Sequence, residues 1–391
     1  MRREFATMLT GEPHFSARIG KIGESRTTHI STLTQTLRRQ GREIINLAVG
    51  EPDFDTPEPI ISATRRALQE QRTRYGPVPG EPDLRARLAE AFAPFGYDGN
   101  SIVVTNGAKQ ALFSLFQVLC DPGDEVIIPR PCWVSFTEQV KLAGGHPVLV
   151  ETTADFQLDP QRIARAVTGR TRAILVNTPN NPTGAVYERA ALAETARVAA
   201  ERGIYLIADE AYHAFAYDHH PFRSALESAP DPRQVITVRS FSKQFNMTGF
   251  RLGYVAADKP IVTALSRLQS HLTGNVCTFA QYGALAALEM NPAVVDERRN
   301  RLQRLRDLAF ELTRELFACS HGAGAFYLFP DVRPHLRNGE TSEDMAARLL
   351  REAGVAVVPG EAFHGPGHIR ISYGISEENL RLAFEKIKGV L

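Results

Sequence analysis

The chain has 391 residues, 43% of them apolar, and 45 Lys and Arg against 44 Asp and Glu give a formal net charge of +1. That length holds one large core or two moderate ones, and the balanced charge offers no general field for nucleic acid or an anionic membrane surface. The four cysteines, Cys120, Cys132, Cys277 and Cys319, lie far apart, with no Cys-x-x-Cys pair and no zinc-type histidine spacing, so no metal or disulfide framework is expected and a reducing cytoplasm fits best.

The opening MRREFATMLTGEPHFSARIG is basic but lacks an apolar stretch long enough for a secretory signal, and no later run approaches a membrane span. Residues 1–50 hold one helical pattern and little core, and are expected to form an arm and part of a small C-terminal domain. Short β-branched runs bounded by turn residues predict strands at 101–105, 125–129, 172–177, 204–209, 235–240 and 253–257. Amphipathic stretches at 108–119 and 188–203 lie between them, the second closed by a glycine. This βα alternation predicts a mostly parallel sheet covered by helices, assigned to a large domain over 51–285. Beyond it the rhythm changes. A charged helical stretch at 293–317 leads to strand patterns at 325–330, 355–359 and 368–374 and a helix starting near Ser376, which together predict a smaller α+β domain over 286–391.

Chemistry gathers at the predicted strand ends. In SFSKQFNMTGFRLGY (240–254) Lys243 follows directly on a strand, which places its amine at the crevice where open α/β sheets bind ligands. A lysine held there can condense with an aldehyde and later shuttle a proton. Ser240, Ser242 and Arg251 add two hydroxyls and a planar cation, a set matched to a phosphate dianion. In TNGAKQAL (105–112) a glycine turn opens a helix and presents the N–H groups of Gly107, Ala108 and Lys109 to an anion. Asp209 closes an apolar run in IADEAY, where a carboxylate is costly unless it meets a cation. Taken singly, each has an ordinary reading: a solvated lysine, a tight turn, a salt bridge or helix cap. His213 and His271 are expected to serve packing or surface, and Asp218-His219-His220 a solvated loop.

The segments NGAKQAL, PCWVSF, NTPNNPTG, ADEAY, SFSKQFNMTGFRLGY and HIRIS, in that order, resemble the class I/II aminotransferases, fold-type I enzymes that use pyridoxal phosphate. VGEPDFDTP and LCDPGDEVIIP are most similar to the bacterial aspartate/prephenate aminotransferase branch, and the similarity runs from about residue 19 onward. The resemblance implies an α/β architecture, with a mostly parallel seven-stranded sheet in a large domain and a smaller α+β domain. It implies that Lys243 forms the Schiff base, Asp209 faces the pyridine nitrogen, Asn181 and Tyr212 bond the phenolate oxygen, and Trp133 stacks on the ring. Gly107, Ala108, Lys109, Ser240, Ser242 and Arg251 would cradle the phosphate, with Tyr75 supplied by the second subunit of a homodimer.

Arg370, near Gly50, would grip the substrate α-carboxylate. Lys109 and Thr27 would recognise a distal carboxylate, although ESRTTHI departs from the usual apolar sequence and sets His29 beside that pocket. The implied reaction moves an amino group from an amino acid, aspartate or glutamate, to a 2-oxo acid such as 2-oxoglutarate, in two half-reactions. Prephenate or aromatic transamination, a specialised biosynthetic transamination, and elimination or oxidation on the same cofactor are the alternative chemistries. A pyridoxal-phosphate-binding regulator is disfavoured, because no basic recognition helix precedes residue 19.

Overall fold

Strands without polar interruption can be satisfied only inside a sheet covered on both faces, and this sets the architecture. The computed structural model describes residues 16–23, 26–218 and 222–391. A two-residue strand, β1 (Ile45–Asn46), precedes the main sheet. Seven strands follow: β2 (Ile102–Thr105), β3 (Glu125–Arg130), β4 (His146–Glu151), β5 (Thr171–Asn177), β6 (Tyr205–Asp209), β7 (Val235–Ser240) and β8 (Gly253–Ala256). They form one sheet in the order β2-β8-β7-β6-β5-β3-β4, and β8 alone runs against its neighbours.

Alternate residues of each strand feed two separate cores. Val104, Ile174, Val176, Leu206 and Ala208 enter one, and Val103, Ala173, Leu175, Ile207 and Val238 the other. The six strand patterns read from β-branched runs all occur. β4 was not among them, because it is a half-exposed edge strand whose HPVLVE sequence carries a histidine and a proline at its start.

A further apolar cluster surrounds β9 (Tyr327–Leu328), β10 (Val355–Ala356), β11 (Val358–Pro359) and β12 (Ile369–Ser372), beneath the helices Ala293–Arg314 and Glu377–Lys388. The run 355–359, expected as one strand, is two. β10 pairs in parallel with β1, and past Val357 the chain changes sheets, so β11 pairs antiparallel with β12. The segment after β1 is thereby carried alongside β12, where Ser372 N–H donates to the Leu47 carbonyl at 2.8 Å.

The direction of β8 has a local consequence. Its first residue, Gly253, lies between Thr105 at the end of β2 and Ser240 at the end of β7, in register with both. A Cβ at Gly253 would stand 2.7 Å from Ala108 N, 2.8 Å from Gly107 C and 2.9 Å from the Arg239 carbonyl, all of them backbone atoms. Only a residue without a side chain lets the three strand ends and the start of the helix Gly107–Leu119 close up. Gly253→Ala is therefore expected to destabilise the protein by about 1–3 kcal/mol through backbone displacement, read as a lowered urea midpoint with an unchanged slope.

Candidate active site

The parallel strands all end at one edge of the sheet, and their last residues open a cavity of about 620 Å³. Asn177 ends β5, Asp209 ends β6 and Ser240 ends β7, and each lines it. Gly107 opens its helix at φ +76°, a left-handed turn that favours glycine, and a Cβ there would meet Arg251 Nη2 at 2.6 Å. Ala108, Ser242 and Arg251 line the same end of the cavity. Ser240 caps the one-turn helix Phe241–Gln244, its Oγ accepting from Ser242 N–H at 3.1 Å. Lys243 thus sits on a short helix rather than directly off β7, but its amine still reaches the cavity.

The amine of Lys243 donates to the Gly50 carbonyl at 2.6 Å. Loss of hydration lowers its pKa to about 8; the cations of Arg370, Arg251 and Lys109 press the same way, and Glu51 opposes them. Asp209 is 4% exposed, and burial raises its carboxyl to about 7. Among the described residues its side chain accepts one hydrogen bond, from Ala211 N–H at 3.1 Å. A carboxylate so placed is incomplete without a cation from a ligand.

Arg370 projects from β12 and is 5% exposed. Its Nη1 donates to Asn181 Oδ1 at 3.0 Å and its Nη2 to the Ala48 carbonyl at 2.8 Å, while Nε has no partner. The guanidinium lies 4.4 Å from the centre of the Tyr327 ring and 5.0 Å from that of Phe363. Burial lowers its pKa, and among the described residues no carboxylate pairs with it. Asn181 is in turn held through its N–H to Asn177 Oδ1 at 2.9 Å, and Asn177 Nδ2 donates to the Asp209 carbonyl at 3.0 Å.

Trp133 covers the opposite wall, with Phe136 edge-on at 5.4 Å and the Lys109 ammonium 4.7 Å over its indole. The cavity therefore brings together Gly50, Ala108, Lys109, Trp133, Asn181, Asp209, Tyr212, Ser240, Ser242, Lys243, Arg251 and Arg370 from the sequence reading, with Gly107 directly behind. Tyr75 is 99% exposed and away from the cavity of its own chain. Thr27 lies in the helix Arg26–Arg39, but its side chain and that of His29 lie outside the described residues, as do His219 and His220. His213 faces a separate small cavity behind the Lys243 helix, and His271 is exposed. The sequence reading missed Asn177, Phe136 and Tyr327. Asn177 had a signal in its place at a strand end before a turn, whereas Tyr327 in AFYLFP has the pattern of ordinary core.

Residues 42–387 match the family model described as aminotransferase class I and II. The aspartate/prephenate aminotransferase of Thermus thermophilus is 43% identical over 96% of this chain and 98% of its own. The aspartate aminotransferase of Geobacillus stearothermophilus is 38% identical over 95% and 97%. Among solved structures, the Thermus thermophilus aspartate aminotransferase with maleate superposes with a TM-score of 0.93 at 43% identity, covering 97% of this chain and all of that one. The aspartate aminotransferase of Thermotoga maritima gives 0.90 at 38%, over 96% and 99%.

The lowered pKa of Lys243 is directly measurable. Only the neutral amine is a nucleophile, so reductive methylation of Lys243 in the cofactor-free protein should rise with pH to a half-maximum near 8, where it is half neutral. Exposed lysines should still be reacting faster with each step toward their ordinary pKa of about 10.4. Peptide mass spectrometry across a pH series reads both.

Proposed function

The chain belongs to the class I and II aminotransferases, fold-type I enzymes that transfer an amino group between an amino acid and a 2-oxo acid, and from that premise we propose that it uses pyridoxal phosphate to transaminate aspartate or glutamate with 2-oxoglutarate by a ping-pong mechanism. One observation carries the substrate class: Arg370 is buried, stacked between two rings, and has an unpartnered Nε with no carboxylate beside it. A guanidinium kept in that state is a receptor for a carboxylate.

The residues fit the cofactor as well. The N–H groups at Gly107–Lys109, the Ser240 and Ser242 hydroxyls and Arg251 form a phosphate cradle, and the close approach of Arg251 to Gly107 leaves no room there for a side chain. The nearly unsatisfied carboxylate of Asp209 matches a protonated ring nitrogen. With Asn181 Oδ1 engaged by Arg370, its Nδ2 and the Tyr212 hydroxyl are donors to offer the ring oxygen. Trp133 offers an aromatic face to the ring. When bound, pyridoxal phosphate supplies an aldehyde carbon and a ring that accepts electrons.

The chain's own residues then bind, orient and move a proton. Arg370 fixes the α-carboxylate of the amino acid, and the Lys243 amine, neutral above about pH 8, takes the α-proton at Nζ and returns it on the other side of the reaction. Lys109, at the rim beside Trp133, supports recognition of a second carboxylate. The maleate carried by the Thermus thermophilus relative, itself a dicarboxylate, supports the same class. Prephenate is a second reading, favoured by the aromatic wall of Trp133 and Phe136 next to that cation.

We propose that Tyr75, 99% exposed in its own chain and not among the residues lining its cavity, enters the active site of a second copy. Among the described residues no helix is long and apolar enough to cross a membrane. A cytoplasmic homodimer is the assembly proposed here.

Protein loaded with pyridoxal phosphate should show a visible absorption band. Aspartate or glutamate added alone should bleach it stoichiometrically and release the matching 2-oxo acid, and 2-oxoglutarate should restore it. A band that no dicarboxylic donor bleaches would sink the substrate assignment. Lys243→Ala should lower turnover at least 10²–10⁴-fold while cofactor still binds. Arg370→Leu should weaken dicarboxylate binding roughly 10²-fold.

A further inference from the structure

Tyr327 stands where the sheet of β9, β11 and β12 meets the main sheet over the cavity. It begins β9, opposite Ser372 of β12, the strand that carries Arg370, and its side chain is wholly buried. Its hydroxyl lies 3.1 Å from that of Tyr212, which leaves the main sheet just after Asp209, and the two rings meet edge-on at 5.7 Å. The Arg370 guanidinium rests on the Tyr327 ring, and the hydroxyl approaches Gly50, where a Cβ would be 3.7 Å away. One phenol therefore touches the carboxylate-binding arginine, the segment that receives the Lys243 amine, and the tyrosine facing the ligand.

Geometry alone allows either hydroxyl to donate. The guanidinium decides between them, because a cation on the Tyr327 ring makes that phenol the more acidic of the pair and so the better donor. Burial raises both phenols. The contact with its partner raises Tyr212 further and lowers Tyr327. The other charged groups acting on the pair are Asp209 on Tyr212, Glu51 on Tyr327 and Arg370 on both. With Tyr327 donating, the oxygen of Tyr212 is an acceptor on one side, and its proton is available to a partner in the cavity. A hydroxyl that accepts one hydrogen bond donates the next more strongly.

We infer that Tyr327 is a positioning residue for the reaction, a hydrogen-bond donor that fixes the Tyr212 hydroxyl and strengthens it as donor to the ring oxygen of the cofactor. The inference rests on the reading of the cavity as a pyridoxal-phosphate site. It assigns the ring of Tyr327 to Arg370 and its hydroxyl to Tyr212.

The readout is the pH midpoint of the visible absorption of the loaded protein, which a merely structural residue would leave in place. Donors to the negatively charged ring oxygen stabilise the deprotonated form, so weakening them moves the midpoint up. Tyr327→Phe keeps the ring under Arg370 and removes only the hydroxyl; the midpoint should rise by about 0.1–0.6 pH unit, the tenth to third by which one accepted hydrogen bond strengthens the next, charge-assisted one. Tyr212→Phe should raise it at least as far, and the double variant should match Tyr212→Phe alone.

A folded, loaded Tyr327→Phe protein with an unmoved midpoint overturns the inference. Additive shifts in the double variant also overturn it, since they would mean Tyr327 acts on the ligand directly. If Tyr327→Phe fails to fold or load, 3-fluorotyrosine placed at 327 keeps the shape with a more acidic hydroxyl, and should lower the midpoint; no change there is equally fatal. A wild-type protein with no visible band after loading refutes the pyridoxal-phosphate reading itself and the inference with it, whereas a titrating wild-type band beside an unresponsive variant refutes the inference alone.

Discussion

Four cations, Lys109, Lys243, Arg251 and Arg370, share one cavity, and their mutual repulsion is the constraint that the rest of the structure has to hold against. The repulsion is visible in Lys243, whose pKa falls with burial and then with each of the other three charges. The negative charge set against them is small: Asp209 is itself pushed toward its neutral form, and Glu51 is exposed. A set of charges that ordinary folding would disperse is instead kept together, so the favourable partner has to be a ligand carrying several negative charges. A phosphate at one end and carboxylates at the other meet that requirement.

Side-chain hydrogen bonds to backbone carbonyls, rather than counter-ions, do the holding. The turn after Lys243 is bound to the segment that follows β1: Thr56 Oγ1 donates to the Asn246 carbonyl at 2.7 Å, and Asn246 Nδ2 donates to the Phe54 carbonyl. Arg298, on the long helix Ala293–Arg314, reaches the Gln244 carbonyl at 3.4 Å and the Asp55 carbonyl at 2.5 Å. Gly50, which receives the lysine amine, belongs to the same segment, and β1 ties that segment to β10. The lysine is therefore referenced to the main sheet and to the β1–β10 pair. Glycine at 253 does the equivalent for the end proposed to hold the phosphate, bringing three strand ends to the start of one helix.

How much of this was legible in the sequence follows from where each residue sits. Asp209, Ser240 and Gly107 could be read because a polar or turn residue ending an apolar run marks a strand end, and strand ends in a parallel sheet face the ligand. Arg370 was harder: a lone arginine in a strand reads as solvent-facing, and only resemblance to a family singled it out. Tyr327 carried no signal, since a tyrosine among Phe326, Leu328 and Phe329 is what a core requires, and its hydroxyl acquires meaning only from Tyr212, 115 residues away in sequence. The division of 355–359 into β10 and β11 was likewise hidden, because a change of pairing partner leaves no mark on hydrophobicity.

Two arginines largely withdrawn from water, one half-buried and one buried, show what separates scaffold from site. Arg239, in β7, gives Glu210 both its Nε and its Nη2, at 2.9 and 2.8 Å, and Glu210 is filled further by the Ser224 hydroxyl and the Ala225 N–H. The pair is closed, and it sits beside the half-buried His213, whose pKa falls to about 3 through loss of hydration and then the charge of Arg239. Nothing there is left to offer a ligand. Arg370 is more deeply buried and is met by neutral oxygens and aromatic faces, which keep it desolvated without cancelling its charge. Removing water from a cation is costly in both places. In β7 that cost is offset within the protein, whereas in β12 it is not; on the proposed reading the offset falls to the incoming carboxylate, which would concentrate binding energy on the one group every amino-acid and 2-oxo-acid substrate shares.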